Sequence, residues 1–314
     1  MQLSQPQHII SLHTSAKLVS IEVTTWSATK RDKTISDEVT SSKRASAGSG
    51  DFTKKLMAGN LTHKALCNYR QTVANWLHRL SFDWHGKQKM LPAPCVAKFK
   101  TEWVAHEAAF NGLKAKFLGE YKHIISNMAF ELGDMFDASN YPTLAQVDAK
   151  FSMSYMLTDV PMNDFRVNIS SELADDLHKH YEIQTQKILD AAMDKAATRL
   201  LTFAERISAS CEEVHDEVLD DGTVKKARKR KIVDGTFDQA KELCVVLKDF
   251  NLTNNSQLEA ARASLEATLG GFTTDDLRER ATARKAVKDE VDEILSQFGS
   301  LRTRRDDDDE DGDE

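Results

Sequence analysis

Proline and glycine are scarce in this chain, at five and thirteen of 314 residues. Few turn residues leave few interruptions, which argues against a fold of many short strands and points to long helices. Cysteine is scarcer still. Cys67, Cys95, Cys211 and Cys244 stand far apart with no C-x-x-C pair. That spacing argues against a disulfide framework or a zinc site, and it leaves buried thiols in a reducing compartment as the expectation. No apolar run approaches the roughly 20 residues that span a bilayer. The opening Met1-Gln2-Leu3-Ser4-Gln5-Pro6 has neither the basic nor the apolar segment of a secretory signal. A cytoplasmic protein without membrane contact is therefore expected, and the Asn-x-Ser/Thr sequons at Asn60, Asn168 and Asn251 carry no weight.

Net charge misleads unless it is divided. The chain carries −7, but eight carboxylates fall within its last nine residues: Asp306, Asp307, Asp308, Asp309, Glu310, Asp311, Asp313 and Glu314. The rest of the chain is near neutral, at +1. A dense block of like charge has no apolar group to bury, so residues 302–314 read as a disordered interaction tail. Six cations gather in seven residues elsewhere: Lys225, Lys226, Arg228, Lys229, Arg230 and Lys231.

Periodicity supplies the architecture. Over residues 17–27 Val19, Ile21 and Val23 alternate with Ser20, Glu22 and Thr24, the pattern of a half-buried strand. The Ser-, Thr- and Lys-rich stretch from there to Gly50 reads as a mobile loop, and it lacks the G-x-x-x-x-G-K-[ST] of a phosphate-binding loop. Leu66, Tyr69, Val73, Trp76, Leu77 and Leu80 recur at helical spacing. Between Pro94 and Phe136 a cleaner stripe runs through Val96, Phe99, Trp103, His106, Phe110, Leu113, Phe117, Tyr121, Ile124, Met128, Leu132 and Met135. Steps of three and four residues there are the seam of a coiled-coil-like helix. Gly112 and Gly119 interrupt it at a cost of about 1 kcal/mol each. Residues 151–157 alternate as a second strand able to pair with the first. A second long helix is expected from Ser170 to about Leu219, then three shorter helices, the last opened by Thr273.

The fold class expected is mainly α with a small β element of about two short strands, built on a long helical hairpin or coiled-coil-like helices. The segments read as a leader (1–16), a strand and long-helix domain (17–221), a basic linker or hairpin tip (222–233), a helical segment (234–301) and the acidic tail (302–314).

Several landmarks together resemble an uncharacterised family from phages and mobile elements. They are the strand ending in Trp26-Ser27, Asn140-Tyr141-Pro142, Lys150-Phe151, Val160-Pro161, Asp164-Phe165-Arg166-Val167, and Asn251-Leu252-Thr253. Ala28 stands where that family carries glycine. The resemblance implies the cytoplasm of an infected bacterial host, no established activity, and a possible partner among AAA+ ATPase assemblies.

Chemistry-bearing residues are sparse. His178 and His180 lie two apart on a helix and point in different directions, so they cannot share a metal as an i, i+4 pair could. His106 falls on the apolar seam as a satisfied core residue. No triad or acid–base pair stands out, no cofactor is implied, and Trp26, Trp76, Trp84 and Trp103 read as anchors. The function expected is that of a non-enzymatic interaction protein that oligomerises or docks on a partner assembly. The alternative is a nucleic-acid-binding accessory protein that uses the basic run on phosphates, with the tail as regulator.

Overall fold

A computed structural model describes residues 14–46, 48–160, 171–212, 217–218, 224–225, 231–248, 250–251 and 255–301. The chain is mainly α with a small β element. It divides into two compact units. One, the helix-pair unit, gathers residues 20–77 and 97–156; the other, the C-terminal unit, gathers 1–19, 78–96 and 157–314. Each unit is thus assembled from separated stretches, whereas the segments read from the sequence are contiguous.

The expected first strand is β1 (Ala16–Thr24). The polar stretch after it is no loop. It forms a short strand, β2 (Thr29–Arg31), then a helix, α1 (Lys33–Ser42), and β3 (Thr53–Lys55), which pairs antiparallel with β2. Hydrogen bonds rather than apolar contacts anchor α1, which is why no hydrophobic period announces it. Asp32 caps the helix by accepting from the Ile35 amide at 3.3 Å. The buried Ser36 hydroxyl donates to the Asp32 carbonyl at 2.6 Å and accepts from the Phe52 amide at 2.9 Å. Asp32 also pairs at 3.0 Å with the buried Lys54, whose ammonium group donates to the Met135 carbonyl at 2.9 Å. The Lys54 hydrogen bond holds the Asp32 carboxyl below its ordinary range.

Two long helices dominate this unit. They are α2 (Leu61–Leu80) and α3 (Cys95–Leu132), whose last and first residues respectively belong to the other unit. Ring contacts fix their direction. Trp76 stacks on Phe99 at 5.2 Å, Tyr69 meets Phe110 at 6.3 Å, and His63 meets Phe117 at 5.4 Å. Positions fall along α2 as they rise along α3, so the pair is antiparallel. The α3 seam expected from spacing is therefore covered inside the chain. Beyond Phe117 it turns to Tyr121, Ile124 and Met128, which join Leu56, Val147 and Phe151 in one buried cluster. Val147 sits on a short helix, α4 (Leu144–Asp148), opened by a capping box of Thr143 and Gln146. Then comes β6 (Ser152–Asp159), the expected second strand.

The sheet is larger than the sequence pattern suggests. A hairpin of β4 (Phe82–Asp83) and β5 (Lys89–Pro92) adds to it, in the order β4-β5-β1-β6. β5 pairs antiparallel with β1, setting Ala16 opposite Pro92 and Val19 opposite Lys89. Strands of two and four residues carry too few alternations to show a period.

In the C-terminal unit α5 runs from Ser171 to Cys211, about 62 Å at 1.5 Å per residue. It ends short of Leu219, because Glu217–Val218 (β7) pairs with Val224–Lys225 (β8) instead. Its buried residues cover two faces, one through Ala192, Ala196, Leu200 and Ile207, the other through Leu189, Met193, Leu201 and Ala204. Helices of its own unit pack against it: α6 (Asp234–Lys248), α7 (Ser256–Gly270) and α9 (Ala281–Phe298). Asn255 caps α7, and exchanges hydrogen bonds with Asn251 at 2.7 and 2.9 Å. The last expected helix is two. A short α8 (Thr274–Glu279), opened by Thr273 as expected, is separated from α9 by Arg280 in extended conformation.

Candidate functional site

Two features of the helix-pair unit stand out: a recess at the end of β1, and the outward face of α3. The recess holds about 590 Å³ and is lined by Ser27, Ala28, Lys55, Asn60, Lys64 and Cys67, among others. Its wall is the Trp26-Ser27-Ala28 turn. Ala28 has φ +51°, in the left-handed region, and its side chain is buried. Only glycine takes that conformation without steric cost, so Ala28 holds the turn at some expense. The Ala28 carbonyl accepts from the Leu56 amide at 2.7 Å, tying the turn to β3.

Cys67 and His63 meet at this turn. The His63 Nε2 lies 2.9 Å from the Trp26 carbonyl oxygen and 3.5 Å from the Cys67 Sγ. A carbonyl can only accept, so Nε2 carries the proton and cannot take one from the thiol. The thiol itself donates toward the same carbonyl at 3.5 Å. Burial pushes the Cys67 thiol up and the His63 imidazole down, so both are neutral near pH 7. The two side chains act together as donors that satisfy one buried carbonyl, not as nucleophile and base.

A pH dependence follows. His63 titrates below its ordinary 6.5 in the folded chain, so as acid is added the unfolded chain takes up the proton first. The stability contributed by neutral His63 is complete above about pH 6.5 and is lost as pH falls through the folded value, at most about 1.4 kcal/mol per unit. Urea titrations between pH 7.5 and 5 should show this slope in the parent and a shallower one in His63→Gln. Equal slopes would remove His63 from the account.

The outward face of α3 is the second feature. Around the helix from the buried seam lie Ala105, Ala108, Gly112, Ala115 and Gly119, all exposed and separated by three, four, three and four residues. Thr101 and Ala97 continue the row toward the N-terminus, and Phe130 continues it toward the C-terminus at 87% exposure. Val104 borders it, 64% exposed. The seven residues of this row from Ala97 to Gly119 carry no charge, and exposed Lys98 and Lys116 lie directly beside it. Among the described residues, a Cβ added at Gly112 or Gly119 would meet no atom within 4 Å beyond its chain neighbours and its own helix backbone. Among those residues, nothing requires glycine at either position. In the sequence the row is a second, small-residue heptad, out of phase with the large seam.

The residues singled out for charge are not brought together among the described residues. Lys225 sits on β8, where the register sets it opposite Glu217, and Lys231 is exposed ahead of α6. Lys226, Arg228, Lys229 and Arg230 lie outside the described residues, as do the whole acidic block 306–314 and the Asp164-Phe165-Arg166-Val167 motif. His106 is satisfied, its Nδ1 lying 2.8 Å from the Tyr69 hydroxyl. Trp76 and Trp103 are buried anchors. None of the four cysteines is in a disulfide, and three are buried. Among the described residues no helix is long and apolar enough to cross a membrane.

No protein-family model, curated protein or solved structure matches this chain.

Proposed function

We propose that the protein acts by association, and that a second copy of the same chain seats along the outward face of α3. What carries this reading is the uncharged row of small residues from Ala97 to Gly119, ending on exposed Phe130. Small side chains let two helices approach to the short end of the usual 8–10 Å. A two-fold axis near Gly112 matches the row with itself, so one face supplies both halves of the contact. Glycine fits the same account. Each of Gly112 and Gly119 costs an exposed helix about 1 kcal/mol relative to alanine, and close approach of a partner backbone is a reason to keep it. A phage or mobile-element setting beside an AAA+-type assembly is the context we attach to it, from the motif succession alone.

Sedimentation equilibrium on the full chain should give the mass of a dimer at micromolar concentration. The double variant Gly112→Ala, Gly119→Ala should move two readouts in opposite directions. The dissociated chain gains about 2 kcal/mol in unfolding free energy from helix propensity, while the dimer weakens at least tenfold. Ala108→Arg, at an exposed helical position that tolerates the side chain, should leave the fold intact and abolish the dimer. A monomer at every concentration, or a dimer indifferent to all three substitutions, would sink the reading.

A further inference from the structure

The C-terminal unit holds a cleft of about 300 Å³ lined by His78, Ser81, Phe82, Asp83, Lys195, Thr198 and Arg199. Two basic residues one turn apart on α5 face it, and they differ in how they are held. Lys195 pairs with Asp83 at 2.8 Å, and the same carboxylate also pairs with Lys89. Burial alone would raise the Asp83 carboxyl, but the hydrogen bonds from Lys195 and Lys89 outweigh it and hold the group down at about 2. Arg199 is half-buried, and its guanidinium donates to the His78 carbonyl at 2.8 Å. That is one bond for a group with five N–H donors. Arg79 adds a further cation nearby, paired at 3.8 Å with Glu242. Four basic side chains thus meet two carboxylates, leaving a positive excess around an apolar floor.

The last described residues arrive close by. Ser208 on α5 donates to Asp292 on α9 at 2.5 Å, and the closing turn Gly299–Leu301 packs back on α5. Only an antiparallel pair of helices permits both contacts, because a parallel α9 would carry that turn past the end of α5 at Cys211. At 1.5 Å per residue the turn then lies about level with residue 201, within about two helical turns of Lys195 and Arg199. Residues 302–314, which follow Leu301, can extend about 43 Å. The first carboxylate of the acidic block needs less than half of that reach.

We infer that this cleft is a receptor for the acidic C-terminal block, residues 306–314, with Lys195 and Arg199 as the groups that take its carboxylates. The chemistry is that of an acidic peptide on a half-buried guanidinium and an adjacent ammonium, where Arg199 has donors to offer and Lys195 can exchange one carboxylate for another. This receptor is distinct from the basic run at 225–231, which lies within the α5–α6 connection. It is also independent of the α3 face and stands if that face proves unoccupied.

Zero-length carbodiimide cross-linking of the full chain, read by mass spectrometry on a mixture of isotopically light and heavy protein, tests it. Links between the Lys195 amine and carboxylates of 306–314, within one isotope label, are the expected result. Replacing the eight acidic residues by Asn and Gln in the full-length chain should raise the acetylation rate of Lys195 at least threefold at low salt. Lys195→Ala, which removes the ammonium without setting a second carboxylate beside Asp83, should make the tail several-fold more susceptible to limited proteolysis. Links confined to Lys225–Lys231, links only between differently labelled chains, or an acetylation rate indifferent to the tail would each overturn the inference.

Discussion

Replacing Phe117 by alanine lowers the unfolding free energy of the chain by about 3–5 kcal/mol. Phe117 is fully buried at the middle of α3. Its ring meets His63 at 5.4 Å, Phe151 at 5.6 Å and Tyr121 at 5.8 Å, so it joins α2, the approach to β6 and its own helix at one point. Truncation forfeits the transfer free energy of the ring. It also leaves a cavity that three elements would have to shift to close, and close-packed interiors relax only in part. A second consequence separates this from generic damage. His63 loses the ring that keeps water from it, so the acid-side slope attributed to His63 should shrink in the same variant. Chemical denaturation at pH 7.5 and pH 5 measures both. A loss under about 1 kcal/mol would mean that Phe117 is not packed as described.

A comparable loss, about 3–5 kcal/mol, is expected for Phe250→Ala in the C-terminal unit. Phe250 lies fully buried just after α6, and its ring stacks on that of Phe82 with centroids 4.2 Å apart and planes within 1°. Phe82 belongs to the two-residue strand β4, which has little backbone pairing of its own, so the stack is a principal restraint on that strand. The next residue, Asn251, exchanges hydrogen bonds with Asn255, the cap of α7, so loss of the ring also loosens the start of that helix. Phe250→Leu keeps most of the apolar area and should cost less than half as much. Equal costs for the two variants, read from urea midpoints, would show that the ring geometry, and not the apolar area that leucine keeps, carries the contribution.

Much of this architecture was legible in the residues. The step of three and four from Phe99 to Leu132 marked both the extent of α3 and the face it buries. Alternation marked β1 and β6, and Thr273 marked the start of α8. Local signals of this kind survive because a helix or strand buries one face at a fixed period. α1 escaped notice because Asp32, Ser36 and Lys54 hold it through polar bonds, which have no period. β4 and β5 escaped because they are too short to have one.

The candidate sites divide along the same line. Sequence by itself determined that the chain is helical, that one block of acid dominates its net charge, and that α3 carries a row of small residues opposite its large ones. Tertiary structure alone decided that Arg199 would reach the carbonyl of His78, that Lys195 would meet Asp83, and that His63 and Cys67 would share the carbonyl of Trp26. The partners in the first two pairs stand more than a hundred positions apart. Their meeting depends on how helices and strands pack, a property of summed apolar burial that no short motif records.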